Sequence, residues 1–226
     1  MRTKLPFPLS SVQLTLSLAF YLLQVTTDQY ILSQVSILLS QWTPCDNETQ
    51  VNSYWVSRAF HHADEYRQQH AEQEEPATGK RWKLLWWCCL IRGRMLALGL
   101  RNPHRLQNST DVPALPSEED FGLESSYPSY VEVEQKRILM STFIALCKLS
   151  NIMEAVAVFQ RSVSFRQKWN GNIDRLKLLD VLQVIGFERQ LSAWREDFDA
   201  VTREVVDSDV HRSIIVPVYS LRILSE

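Results

Sequence analysis

Glycine is scarce in this chain, six residues in 226, and cysteine is scarcer still at four. Few glycines between long apolar runs disfavour a sheet built on tight hairpins and favour helices. All-α is the expected class. Cys45, Cys88, Cys89 and Cys147 are too few and too scattered for a disulfide framework, and no Cys-x-x-Cys pair is present to begin a zinc site. Adjacent Cys88 and Cys89 on a helix point about 100° apart, so they are expected to be small buried hydrophobes in a reduced compartment. A surplus of one charge is also lacking: 24 Lys and Arg against 26 Asp and Glu leave a formal net charge of -2, which gives no whole-chain reason to bind a polyanion. Neither a Gly-x-Gly-x-x-Gly turn, a phosphate-cradling loop, nor a Gly-x-Ser-x-Gly elbow occurs. An enzyme therefore has no motif to stand on, and no catalytic, cofactor or metal residues are assigned.

What is present is a composition 45% hydrophobic and 22% charged, enough to bury a core in one multi-helix globular domain, expected to be incomplete at one or both ends. Residues 12–25 and 28–42 have helical spacing and are separated by Thr26-Thr27-Asp28, where Thr27 or Asp28 can cap the second helix. Val51 to Gln69 continues the spacing through Val51, Tyr54, Trp55, Ala59 and His62. Residues 71–79 are expected to be a linker and 107–130 an extended loop. Glu132 to about Gln167 carries an apolar stripe at 138, 142, 145, 149, 152, 156, 159 and 163, with Thr142 its one polar member. A last helical region over 173–206 is expected to divide near Gly186, with Leu176, Leu179, Val184, Leu191 and Trp194 packing, and Pro217 should interrupt any helix in the C-terminal apolar segment. His61, His62, Asp64, Glu65 and His70 are the one cluster of metal-ligand side chains. No second cluster completes a ligand set, so a solvated helix face is expected there.

The densest segment is KRWKLLWWCCLIRGRMLALGLRNPHRL, residues 80–106. On a helix, Arg81 with Arg92 and Lys83 with Arg94 form two narrow cationic stripes. Between them lie two apolar arcs, one of Trp82, Leu85, Trp86, Cys89 and Leu96, the other of Leu84, Trp87, Ile91, Met95 and Leu98. A DNA-reading helix has one apolar face and one cationic face. This helix is instead expected to be buried on two sides, with Arg92 and Arg94 needing partners. The 107–130 loop is expected to fold back over it, Phe121 entering the core and Asp120 pairing with Arg92 or Arg94.

That segment resembles the signature of the middle homology region of the fungal binuclear zinc-cluster transcription factors: a Lys/Arg-x-Leu-Trp-Trp helix, then Arg-Asp-Arg, Ala-Leu-Gly and a proline. Trp86, Trp87, Arg92, Arg94, Gly99 and Pro103 stand on matching positions, as do Asp120 and Phe121 in the following Asp-Phe, whereas Gly93 replaces the family's aspartate. The resemblance covers most of residues 1–226 and implies an all-α regulatory domain of a nuclear transcription regulator. Such regulators often serve a metabolic or secondary-metabolite gene set. It also implies partners among other transcription regulators or a second copy, a small-molecule effector, and no membrane. The family's six-cysteine DNA-binding cluster is not in this chain. DNA is then met only indirectly or through a missing domain, and zinc is expected only with that missing cluster. The apolar stretch behind the cationic MRTK start, with sequons at Asn47 and Asn108, supports a different class, a secreted or membrane-associated helical protein. A helical enzyme is the third reading.

Overall fold

Asp28 begins the first complete helix. Its backbone is extended, its carboxylate accepts the Tyr30 N–H at 2.8 Å, and its own N–H donates to Thr26 Oγ1 at 3.1 Å. The helix so capped, α1, runs Gln29–Leu39, after a helical turn over residues 18–22. The computed structural model describes residues 18–23, 25–41, 50–71, 76–99, 112–122, 133–170 and 178–206. Among these, all regular structure is helical: α2 is Gln50–Gln69, α3 Pro76–Gly99, α4 Val133–Asn170 and α5 Leu178–Val206, with a short 3-10 helix over Glu118–Phe121. The all-α expectation holds. Cys45, both sequons, Pro103, Leu176 and the segment around Pro217 lie outside the described residues.

Chain contacts divide the molecule into two compact units, Met1–Pro113 and Ala114–Glu226. In the first, α1 packs on α2 and α3, and α2 on α3. The buried side of α1 is made of small residues: Ser33, Ser36 and Ser40 have no exposed surface, beside Leu39. Ser33 Oγ donates to the Ala59 carbonyl of α2 at 2.8 Å and lies 3.8 Å from Cys89 Sγ of α3, so the three helices meet there. Ser36 and Ser40 turn their hydroxyls onto the Leu32 and Ile37 carbonyls, which satisfies them where water is absent. Trp55, Val56, Ala59, Phe60, Ala63 and Tyr66 fill the buried side of α2. Tyr54 departs from the expected stripe and is exposed, its ring edge-on to Trp55.

Helix α3 starts at Pro76, inside the expected 71–79 linker. A proline in the first turn costs no hydrogen bond, because that N–H has no helical acceptor. Both apolar arcs are then enclosed: Leu85, Trp86 and Cys89 on one, Trp87 and Ile91 on the other are buried.

In the second unit α4 and α5 form a core of Ile138, Leu149, Trp194 and Phe198, flanked by Ala145, Leu146, Ile152, Met153 and Leu191. Trp194 Nε1 donates to the Ala145 carbonyl at 2.8 Å, Phe159 meets Phe187 edge-on at 5.6 Å, and Arg166 pairs with buried Asp180 at 2.5 Å. The expected stripe of α4 holds, its members being buried or half-buried. The stretch Lys136–Arg166 is long and apolar enough to cross a membrane by length and composition, and it supplies this unit's core. α5 departs from expectation in two ways. It runs through Gly186 without a break, and Leu179 and Val184 are exposed while Phe187 and Phe198 take the packing positions.

Candidate functional site

Helix α3 brings Trp86, Trp87, Arg92, Arg94 and Gly99 onto one element. Trp86 sits edge-on to Phe60 of α2 at 5.2 Å and 5.4 Å from Trp82, over whose ring Arg67 lies at 5.1 Å. Gly93 faces the same neighbour helix: a Cβ there would stand 3.5 Å from the Phe60 ring and 3.6 Å from a Val56 methyl. The position that the family fills with aspartate therefore looks onto apolar groups in this protein. Gly99 is exposed at the helix end.

The two signature arginines are used inside the fold. Arg92 reaches the end of α1, where its Nε donates to Ser40 Oγ at 2.9 Å and a terminal nitrogen to the Ser40 carbonyl. Ser40 is the residue that closes α1, so the cation sits where the helix dipole leaves partial negative charge and unpaired carbonyls. Burial lowers the guanidinium pKa to about 10, which leaves it charged at neutral pH. Arg92 is thus partnered at this end of α1 by Ser40, a neutral residue. Arg94 is 2% exposed, with its guanidinium 5.6 Å from the Trp87 ring centre on the same helix. In the second unit, Asp120 accepts from the Ser117 N–H at 2.7 Å and hydroxyl at 3.2 Å, closing the 3-10 turn that Gly122 ends at φ 59°. Phe121 is half-buried, edge-on to Phe143 of α4 at 5.8 Å.

A polar network not foreseen from the sequence joins α1, α2 and the 18–22 turn. His62 is 4% exposed, so the expected solvated face is corrected at this residue. Its Nδ1 lies 2.6 Å from Gln29 Oε1, its Nε2 3.0 Å from the Tyr21 hydroxyl, and Arg58 Nε donates to that hydroxyl at 2.8 Å. One tautomer satisfies the set: Nδ1–H donates to Gln29 and Nε2 accepts from Tyr21. Burial, and then the Arg58 charge, lower the His62 pKa to about 4, so the ring is neutral with both nitrogens engaged. His61 stays on the expected solvated face, exposed and 3.2 Å from Glu65. Only the helical spacing of His62 hinted at its burial; Tyr21, Gln29, Arg58 and Ser40 carried no local signal.

Cys88 and Cys89 are pushed up by burial to about 11 and about 12, which holds them as thiols, and Cys147 is fully buried. Among the described residues no group of three or more His, Cys, Asp or Glu could hold a metal ion.

A family model described as the fungal specific transcription factor domain matches residues 2–196. "Cutinase transcription factor 1 beta" of Fusarium vanettenii is 32% identical over 102 residues, 43% of this chain and 12% of that protein. A "Transcription factor" of Fusarium pseudograminearum (strain CS3096) is 34% identical over 90 residues, 38% of this chain and 10% of that protein. The matched stretch thus spans about a tenth of the length of these curated relatives. No solved structure matches.

Proposed function

This chain belongs to the fungal specific transcription factor domain family, and on that premise we propose that it is the regulatory, partner-binding module of a transcription regulator. The family match over residues 2–196 carries this reading. The use made of the α3 cations agrees with it: Arg92 is spent on the end of α1 and Arg94 on Trp87, so the signature helix is architecture and not a groove reader. The module acts in the nucleus and reaches DNA through another domain or partner. Its partners are other transcription regulators or a second copy, with a small-molecule effector, and the gene set it serves is metabolic or secondary-metabolite. It performs no catalysis and holds no cofactor of its own, zinc belonging to a cysteine cluster on other residues.

The test is a reporter assay with residues 1–226 fused to a heterologous DNA-binding domain, paired with proximity labelling in fungal nuclei. A change in reporter output together with labelled transcription regulators is the expected result. An unchanged reporter and a cytoplasmic labelling pattern would overturn it.

A further inference from the structure

Between Arg105 and Lys136 the sequence has seven Asp and Glu and no Lys, Arg or His. Within that interval Ser117 is followed directly by Glu118, Glu119 and Asp120. No other serine or threonine among the described residues has a carboxylate three places on. Ser117 is also placed to be reached. It is exposed, as are Glu118 and Glu119, while Pro116 before it is buried and anchors the segment. Residues 112–117 belong to no helix, and Ser117 itself is extended, at φ -117° and ψ 171°. Ser57, Ser162, Ser164 and Ser192 are exposed too, but each is wound into a helix, where a substrate groove cannot lay the chain out.

A serine kinase does little covalent work beyond positioning hydroxyl and phosphoryl, and it selects its substrate by the pattern of neighbouring charge. Selection by cations does not fit, because the nearest one before Ser117 is Arg105, twelve residues away. Selection by a following proline does not fit either, because Glu118 stands there. A basic groove does fit: three successive carboxylates follow the hydroxyl, and the first two are already in water.

The phosphorylated residue no longer suits the turn it begins. The Ser117 N–H and hydroxyl both donate to Asp120 Oδ2, at 2.7 and 3.2 Å, and the Asp120 N–H returns to the Ser117 carbonyl at 3.0 Å. Phosphorylation removes the hydroxyl proton and sets a charge of about -1.5 to -2 beside the Asp120 carboxylate, with Glu118 and Glu119 close by. A long helix offsets such repulsion with its dipole, but this turn has four residues. Phe121 follows Asp120 directly, so opening the turn draws its ring away from Phe143.

We propose that Ser117 is the acceptor for an acid-directed serine kinase, and that its phosphorylation opens the Ser117–Asp120 turn and releases Phe121 from Phe143. In the transfer, the bond from the γ-phosphorus of a nucleoside triphosphate to its bridging oxygen breaks and a bond to Ser117 Oγ forms. The hydroxyl proton goes to the kinase's base and the nucleoside diphosphate leaves. This site is independent of the regulatory role proposed for the chain.

Residues 1–226, incubated with a purified acid-directed serine kinase and magnesium ATP, test it, alongside the same chain recovered from fungal cells. Peptide mass spectrometry is expected to find phosphate on Ser117 in both, with the initial rate in vitro falling at least tenfold when Glu118→Gln and Glu119→Gln are made together. Hydrogen exchange across residues 118–122 is expected to quicken at least threefold in the phosphorylated chain. A Ser117 peptide recovered unmodified from cells, incorporation that survives Ser117→Ala, or a rate indifferent to the two glutamines would overturn the site. Unchanged exchange in a chain fully phosphorylated at Ser117 would overturn the opening of the turn.

Discussion

At the end of α1, Ser40 receives two nitrogens from Arg92, so truncating this arginine removes a charge-assisted bond and uncovers a helix terminus at once. Arg92→Ala is expected to cost about 2–3 kcal/mol, seen as a lower denaturant midpoint at unchanged m-value. Arg92→Lys recovers part of this, because an ammonium cannot span the hydroxyl and the carbonyl as the guanidinium fork does. His62 gives a pH signature. Its folded pKa of about 4 lies below the ordinary 6.5, so the unfolded chain takes up the proton first as pH falls. The stability it contributes is complete above about pH 6.5 and is lost as the pH falls through about 4, on the order of 3 kcal/mol in all. Thermal melts between pH 7 and pH 4.5 should therefore show a steeper decline for the native protein than for His62→Gln. The buried tryptophans of α3 were legible in the sequence, whereas the partner of Arg92 was not. Arg92 is held by a neutral serine at a helix end, a feature made by the backbone and so without a signature in the charge pattern.

Helix α3 shows both how far periodicity reaches and where it stops. Two apolar arcs separated by narrow cationic stripes announced burial on both sides, and the helix is enclosed on both. Punctuation residues misled more often than periodicity did. Pro76 looked like a linker residue but opens α3, and Gly186 looked like a break but lies inside α5, where tertiary packing on Phe187 outweighs about 1 kcal/mol of poor propensity. Gly93 tests the same balance in the signature itself. A methyl there meets Phe60 and Val56 at ordinary contact distance, so Gly93→Ala should gain about 0.5–1 kcal/mol from helix propensity and raise Tm by a few degrees. A lower Tm would mean that α2 and α3 are packed more tightly there than 3.5 Å implies.

Each compact unit contains a buried thiol, Cys89 in one and Cys147 in the other, with Cys88 half-buried beside Cys89. Burial holds Cys88 and Cys89 as thiols at pH 8, so they should resist a thiol reagent until the first unit opens, and Cys147 should report on the second. Mass spectrometry of labelled peptides along a denaturant series gives one midpoint for each; rapid native labelling of Cys89 would contradict the enclosure of α3. The split into units was not legible, because composition and spacing show which faces are apolar but not which neighbour covers them. Order of synthesis attaches a hazard to the α1–α2–α3 arrangement. Helices α1 and α2 are finished at Gln69, while the helix that covers them is complete only at Gly99. At translation rates of about 5–20 residues per second, Trp55, Phe60 and Leu39 remain without their third neighbour for roughly 2–6 seconds. For that interval the nascent chain presents sticky surface, so a fungal cell should make this protein with chaperones in attendance and lose more of it when elongation pauses before Gly99.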